Sequence, residues 1–172
     1  MCRVFRRSFV VSLLFIIFVF EVSAIDTNLG PYHISFANSS HLETKLNEPI
    51  LSTDKTYSEY VLNYQVMNTN YIIDYIIKRY YNSKNNDDAS QKAELADRIK
   101  RFFPERLVEP EIKEWKIGKS GRGFFAMVTD KAEGYNWSFV LYWPNANSCC
   151  FIKSNNDDLM NESCSSLNIQ EM

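Results

Sequence analysis

Residues 111–153 read EIKEWKIGKSGRGFFAMVTDKAEGYNWSFVLYWPNANSCCFIK, and this stretch decides the fold. It holds four runs rich in aromatic and β-branched residues: Glu111 to Ile117, Arg122 to Thr129, Asn136 to Trp143 and Ser148 to Lys153. Turn clusters separate them at Gly118-Lys119-Ser120-Gly121, Lys131 to Gly134 and Pro144 to Asn147. Connections this short join antiparallel neighbours, because a parallel pair needs a crossover of about a dozen residues or more. The reading is a β meander. On its third run Trp137, Phe139, Leu141 and Trp143 share a face, as Trp115 and Ile117 do on the first, and these are expected core.

Working outward toward the N-terminus, Pro104 closes a helix that starts at Asp88, which stands three residues before Gln91 as in a capping box. Leu95, Ile99, Phe102 and Phe103 form its apolar stripe, while Lys92, Asp97, Arg98 and Arg101 lie elsewhere. Before it, Tyr57 to Met67 alternates with a period of two, setting Tyr60, Leu62, Tyr64 and Val66 against Glu59, Val61, Asn63 and Gln65. Asn68-Thr69-Asn70 turns the chain into Tyr71 to Tyr81. Ile72, Ile76 and Tyr80 there also fit a helical period, but the β-branched and aromatic load behind a turn favours a hairpin. After Gly30-Pro31, Tyr32, Ile34 and Phe36 alternate in a first strand. Ile25 to Leu29 reads as a lead-in, and Ala37 to Lys55, whose only apolar step is Ile50-Leu51, as mostly loop with room for one short edge strand.

Downstream of the meander, Asp157 or Asp158 can cap a short helix carrying Leu159, Met160 and Cys164, followed by an extended Ser166 to Ile169. The expected fold is therefore α+β: one antiparallel sheet of about six or seven strands, one main helix packed on it and a short C-terminal helix. No repeat or linker divides it.

Met1 to Arg7 carries three arginines, Ser8 to Phe20 is nearly pure hydrocarbon, and Val22-Ser23-Ala24 offers small residues to a signal peptidase. The apolar run is about thirteen residues, roughly 20 Å as a helix, too short for a hydrocarbon core about 30 Å thick. Residues 1–24 thus read as a removable signal and residues 25–172 as a single exported domain, secreted or at the cell surface. Contact with a membrane is expected only through an uncleaved signal segment. Losing Arg3, Arg6, Arg7 and Glu21 from the 19 basic and 21 acidic residues leaves the mature chain at net −4. Nucleic acid and anionic lipid surfaces demand clustered positive charge, so neither is an expected partner. Arg98, Lys100, Arg101 and Arg106, mixed with Asp97 and Glu105, read as a solvated helix face.

Cys2 leaves with the signal, and Cys149, Cys150 and Cys164 remain. Neighbours on a strand point to opposite faces, so only one of Cys149 and Cys150 can reach Cys164. A disulfide between Cys164 and one of them is expected in an oxidising compartment. The spacing suits no zinc site, and no metal is expected. Asn155, Asn156, Asp157, Asp158 and Glu162 lack EF-hand spacing and read as helix-capping residues. Asn38, Asn136 and Asn161 each begin an N-glycosylation sequon.

Gly118-Lys119-Ser120 has the end of a phosphate-binding loop, but Lys113 stands where that motif needs glycine and a strand follows, so no cofactor is expected. His33 and His41 are the only imidazoles, with no nucleophile motif beside them. Glu109, Glu111 and Glu114 could serve glycoside chemistry only across a cleft, and read as an exposed acidic strand start. No catalytic residue is assigned. Tyr71, Tyr75, Tyr80 and Tyr81 are too many to bury together, and a tyrosine-rich face suits an envelope glycan or protein.

At Gly30-Pro31-Tyr32-His33-Ile34-Ser35-Phe36 the chain resembles a group of archaeal exported proteins of unknown function with a Gly-Pro-Tyr-x-x-Ser-Phe start. The order of a hairpin, a helix, a meander through Trp115 to Gly123, a strand ending at Lys153-Ser154, a short helix and a closing Leu167 to Ile169 piece is similar too. A curved antiparallel sheet carrying helices also resembles the PsbP type of α/β sandwich. Neither resemblance implies catalytic residues. The expected function is a non-enzymatic exported binding or envelope module; the alternative is a small exported hydrolase using carboxylates or His33.

Overall fold

The computed structural model describes residues 23–38, 42–46, 50–51, 56–82, 87–104, 110–130 and 134–172. The elements run β1 (Ser23–Leu29), β2 (Tyr32–Asn38), β3 (Leu42–Leu46), β4 (Ile50–Leu51), β5 (Tyr57–Val66), β6 (Ile72–Tyr80) and α1 (Asp88–Phe102). The meander follows as β7 (Lys113–Ile117), β8 (Gly121–Asp130), β9 (Tyr135–Asn145) and β10 (Ser148–Ser154), then α2 (Asp157–Ser166) and β11 (Asn168–Glu171). The expected signal segment up to residue 22, His41 and Glu109 lie outside the described residues.

The fold is mixed helix and antiparallel sheet, but the strands form two sheets where one was expected. The larger has the order β3-β5-β6-β10-β9-β8-β7, with β4 also pairing β5; the smaller is β1-β2-β11. Tyr71 to Tyr81 is a strand rather than a helix: β6 pairs β5 from Tyr57↔Tyr80 to Gln65↔Ile72, and β10 from Ser148↔Arg79 to Ser154↔Ile73. The expected lead-in Ile25 to Leu29 is part of β1, paired with β2 from Ser23↔Asn38 to Leu29↔Tyr32. The expected loop contains both β3 and β4. The closing tail piece becomes β11 beside β2, so both ends of the described chain share one small sheet. Local patterning missed β1 and β3 because their partners, not their own polar sequences, hold them extended, whereas β4 is the short edge strand it allowed and β11 overlaps the extended tail piece it expected.

Each helix packs on a different face of the large sheet. Leu95 and Ile99 of α1 bury against Phe124, Ala126, Phe139, Leu141, Cys149 and Phe151. On the other face, α2 and the small sheet close a core of Tyr32, Ile34, Phe36, Leu62, Ile73, Tyr75, Ile77, Cys150, Ile152 and Cys164. The α1 cap is Asp87 rather than Asp88: its carboxylate accepts from Ser90 N at 2.8 Å and its carbonyl from Gln91 N at 2.9 Å. Asn156, not Asp157 or Asp158, caps α2 by accepting from Leu159 N at 2.8 Å. In both cases the cap is the last extended residue, where a side-chain oxygen can curl back to the first free amides.

Candidate functional site

The β5–β6 register sets Tyr57 opposite Tyr80 and Glu59 opposite Lys78. Their ring centroids lie 6.1 Å apart, the Lys78 ammonium sits 4.3 Å over the Tyr57 ring, and it pairs Glu59 at 3.5 Å. Against these strands stands the flank of α1, where Glu94, Arg98 and Arg101 follow one another by about one turn beside the buried Leu95 and Ile99 stripe. Between helix and strands opens a cavity of about 580 Å³ lined by Tyr57, Lys78, Tyr80, Glu94, Asp97, Arg98 and Arg101, among others.

Several of the charges are nearly dry. The side chains of Arg98, Glu94 and Lys78 keep only 8%, 13% and 12% of their exposure. Arg98 donates to one Glu94 oxygen from Nε at 3.2 Å and from an Nη at 3.0 Å, and the Tyr80 hydroxyl donates to the same oxygen at 3.1 Å. Behind them the Arg98 guanidinium lies 3.6 Å from the Cys149 sulfur and 5.1 Å over the Phe151 ring. Burial, and then the charge of Arg98, push the Lys78 ammonium below its ordinary pKa. Burial pushes the Cys149 thiol up more than the Arg98 charge pulls it down, so Cys149 stays a neutral thiol near pH 7.

Of the four tyrosines expected on one surface, only Tyr80 lines this cavity. Tyr75 points to the α2-side core and is fully buried, which removes it as a surface ligand contact. Tyr71 and Tyr81 are exposed but stand beyond opposite ends of β6, and the Tyr81 hydroxyl bonds Ser58 Oγ at 2.5 Å. Alternation on a strand splits Tyr75 from Tyr80, and nine residues of strand separate Tyr71 from Tyr81. Sequence reasoning missed Tyr57 and Glu94, and took Arg98 for a solvated residue. The available signal was Glu94 and Arg98 at i, i+4, each one position before a residue of the apolar stripe.

His33 lies on the half-exposed side of β2, where β1 occupies both ring nitrogens: Nε2 is 2.7 Å from Asp26 and Nδ1 is 2.9 Å from Asn28. Glu111 and Glu114 are exposed and pair with Lys113 at 3.3 Å and Arg122 at 2.9 Å. Cys149 and Cys150 part as the strand rule requires, Cys149 toward α1 and Cys150 into the core that holds Cys164; all three thiols are buried and unbridged. Asn136 and Asn161 are exposed, but Asn38 is fully buried, and a glycan on its Nδ2 could not be housed in this fold. Asn155 accepts from Ile72 N at 2.8 Å and donates to Asn70 O at 2.9 Å, fastening the β5–β6 turn to α2's entry.

No protein-family model matches the chain, and neither a curated protein nor a solved structure does.

Proposed function

We propose that the chain is an exported binding module of the cell envelope and that its ligand enters the cleft between α1 and the β5–β6 pair. The observation that supports this is the gathering of buried ion pairs around a cavity. Burying ion pairs contributes little to net stability, since desolvation offsets the attraction. Aromatic walls with a few convergent polar groups are the usual make-up of a ligand pocket. Hydrolysis fits less well. Glu94 and Asp97 sit three residues apart on the same helical wall, whereas glycoside chemistry needs carboxylates on both sides of the scissile bond. His33 has no ring nitrogen left for a nucleophile.

The test is retention of the secreted domain on cell-envelope material. Tyr80→Ala should weaken retention about tenfold or more, as loss of a buried aromatic anchor does, while Tyr71→Ala changes nothing. Equal retention of wild type and Tyr80→Ala, with both folded, would refute the cleft.

Export itself rests on the leader-like residues 1–24 and on the archaeal-group resemblance at Gly30 to Phe36. Ser23 and Ala24 belong to β1, so a cut after Ala24 leaves Ile25 to Leu29 to pair with Phe36 to Tyr32. In the exported chain Cys164 bridges Cys150, which shares its core, and glycans occupy Asn136 and Asn161 rather than Asn38. Peptide mapping of secreted material reads the N-terminus, the bridge from Cys164 and the glycans, and serine variants of Cys149 and Cys150 tell which of the two is bridged; an N-terminus other than Ile25, free Cys150 and Cys164, or a glycan on Asn38 would each overturn its part.

A further inference from the structure

Resting on that cleft, we infer that the ligand is a neutral, polyhydroxylated sugar unit of an envelope glycan rather than an anion or a peptide. The first argument is charge. Among the described residues the cations Lys78, Arg98 and Arg101 are each paired with a carboxylate, Glu59, Glu94 and Asp97 respectively. A site balanced in this way offers an anionic ligand no unmet positive charge, and an entering phosphate or carboxylate would face the acids already in place.

The second argument is hydrogen-bond chemistry. Each arginine–carboxylate pair presents donors and acceptors side by side, and adjacent hydroxyls on a sugar are donor and acceptor at once. A vicinal diol can therefore bridge such a pair without displacing either partner.

The third argument is shape. Tyr57 and Tyr80 meet at 60°, and since Lys78 lies over one face of Tyr57 and Trp143 over one face of Tyr80, the C–H face of a pyranose would lie against the ring surface these neighbours leave toward the cavity. Tyr80 is itself stacked on Trp143, 5.7 Å centroid to centroid and 8° from parallel, so its ring is held in place before a ligand arrives. A cavity of about 580 Å³ falls in the range of small-ligand pockets.

The experiment is an array of neutral oligosaccharides, uronic-acid and phosphorylated oligosaccharides, and peptides, probed with the secreted domain at about 0.05 and about 0.5 M sodium chloride, a span over which exposed charge interactions are screened. Neutral glycans should bind, with affinity unchanged by salt. Asp97→Ala, at an exposed position chosen to spare the core, should weaken that binding about tenfold, and Tyr80→Ala should remove it. Binding confined to acidic glycans and lost at high salt would overturn the sugar class while keeping the cleft, provided Tyr80→Ala abolished it. Neutral-glycan binding indifferent to both variants would place the site elsewhere and overturn the cleft. Selective peptide binding, or no binding on the whole array, would overturn the inference.

Discussion

Asp74 is nearly closed to water on the α1 face of β6, where it meets the Lys153 ammonium at 2.9 Å and accepts from Asn63 Nδ2 at 2.6 Å. Lys153 in turn lies 4.6 Å over the Phe102 ring and 5.5 Å over Trp137. Removing one member of such a pair leaves the other charge buried without compensation, so Lys153→Met should cost about 3 to 5 kcal/mol in urea unfolding. Pairing it with Asp74→Leu should restore most of that loss, and a double variant no better than the single would refute the argument. The cysteines pose a second residue-scale question. If Cys150 is the partner of Cys164, Cys149→Ser keeps a bridged chain and Cys150→Ser exposes one extra titratable thiol after denaturation. Closing a loop of about fifteen residues is worth about 3 kcal/mol in the chain-entropy model, so reduction should lower the stability of wild type and Cys149→Ser alike by that order. Both cysteines fall in the same peptide, which is why the serine variants, rather than mapping alone, separate them.

Among the elements, the turn from β7 to β8 is held by another part of the chain. Gly118 has φ +54°, its amide donates to Cys164 O at 2.8 Å, and a Cβ there would stand 2.3 Å from Leu167 O. Alanine at this position meets both a left-handed backbone and another element's carbonyl, and that carbonyl ends α2. Gly118→Ala should cost more than about 1 kcal/mol and should speed amide exchange in α2 and β11 before it does so in the meander. Uniform loss of protection across the chain would show instead that the turn is not α2's anchor. The same scale explains the misread Arg98. Helix periodicity identifies the centre of the buried stripe, but the flank positions Glu94 and Arg98 are covered by tertiary neighbours, Tyr80 against Glu94 and Cys149 and Phe151 against Arg98.

At the scale of the whole molecule, the small sheet closes the α2-side core with a phenol. Tyr32 is fully buried, its hydroxyl 2.6 Å from Ser148 Oγ, and burial pushes its pKa up to about 12 against the effect of that hydrogen bond. Tyr75, also fully buried, is shifted in the same direction. A raised phenol pKa means that the unfolded chain gives up the proton first. Its contribution is complete below the unfolded value near 10 and is lost as pH rises through about 12. Stability should therefore fall by on the order of 2 kcal/mol between about pH 10 and 12 on account of Tyr32. Tyr32→Phe should flatten that decline, and an unchanged alkaline slope in the variant would refute the assignment. What the sequence by itself determined is local. The meander follows from period-two alternation broken by short turns, α1 from its stripe and Pro104, and the opposite facing of Cys149 and Cys150 from strand geometry, because each is settled within a few residues. Tertiary structure alone decided that β1, β2 and β11 leave the main sheet and that Tyr75 and Asn38 are buried. It also placed Tyr57, Lys78, Glu94 and Arg98 around one cavity, because pairing across long stretches of chain, not local pattern, chooses which faces meet.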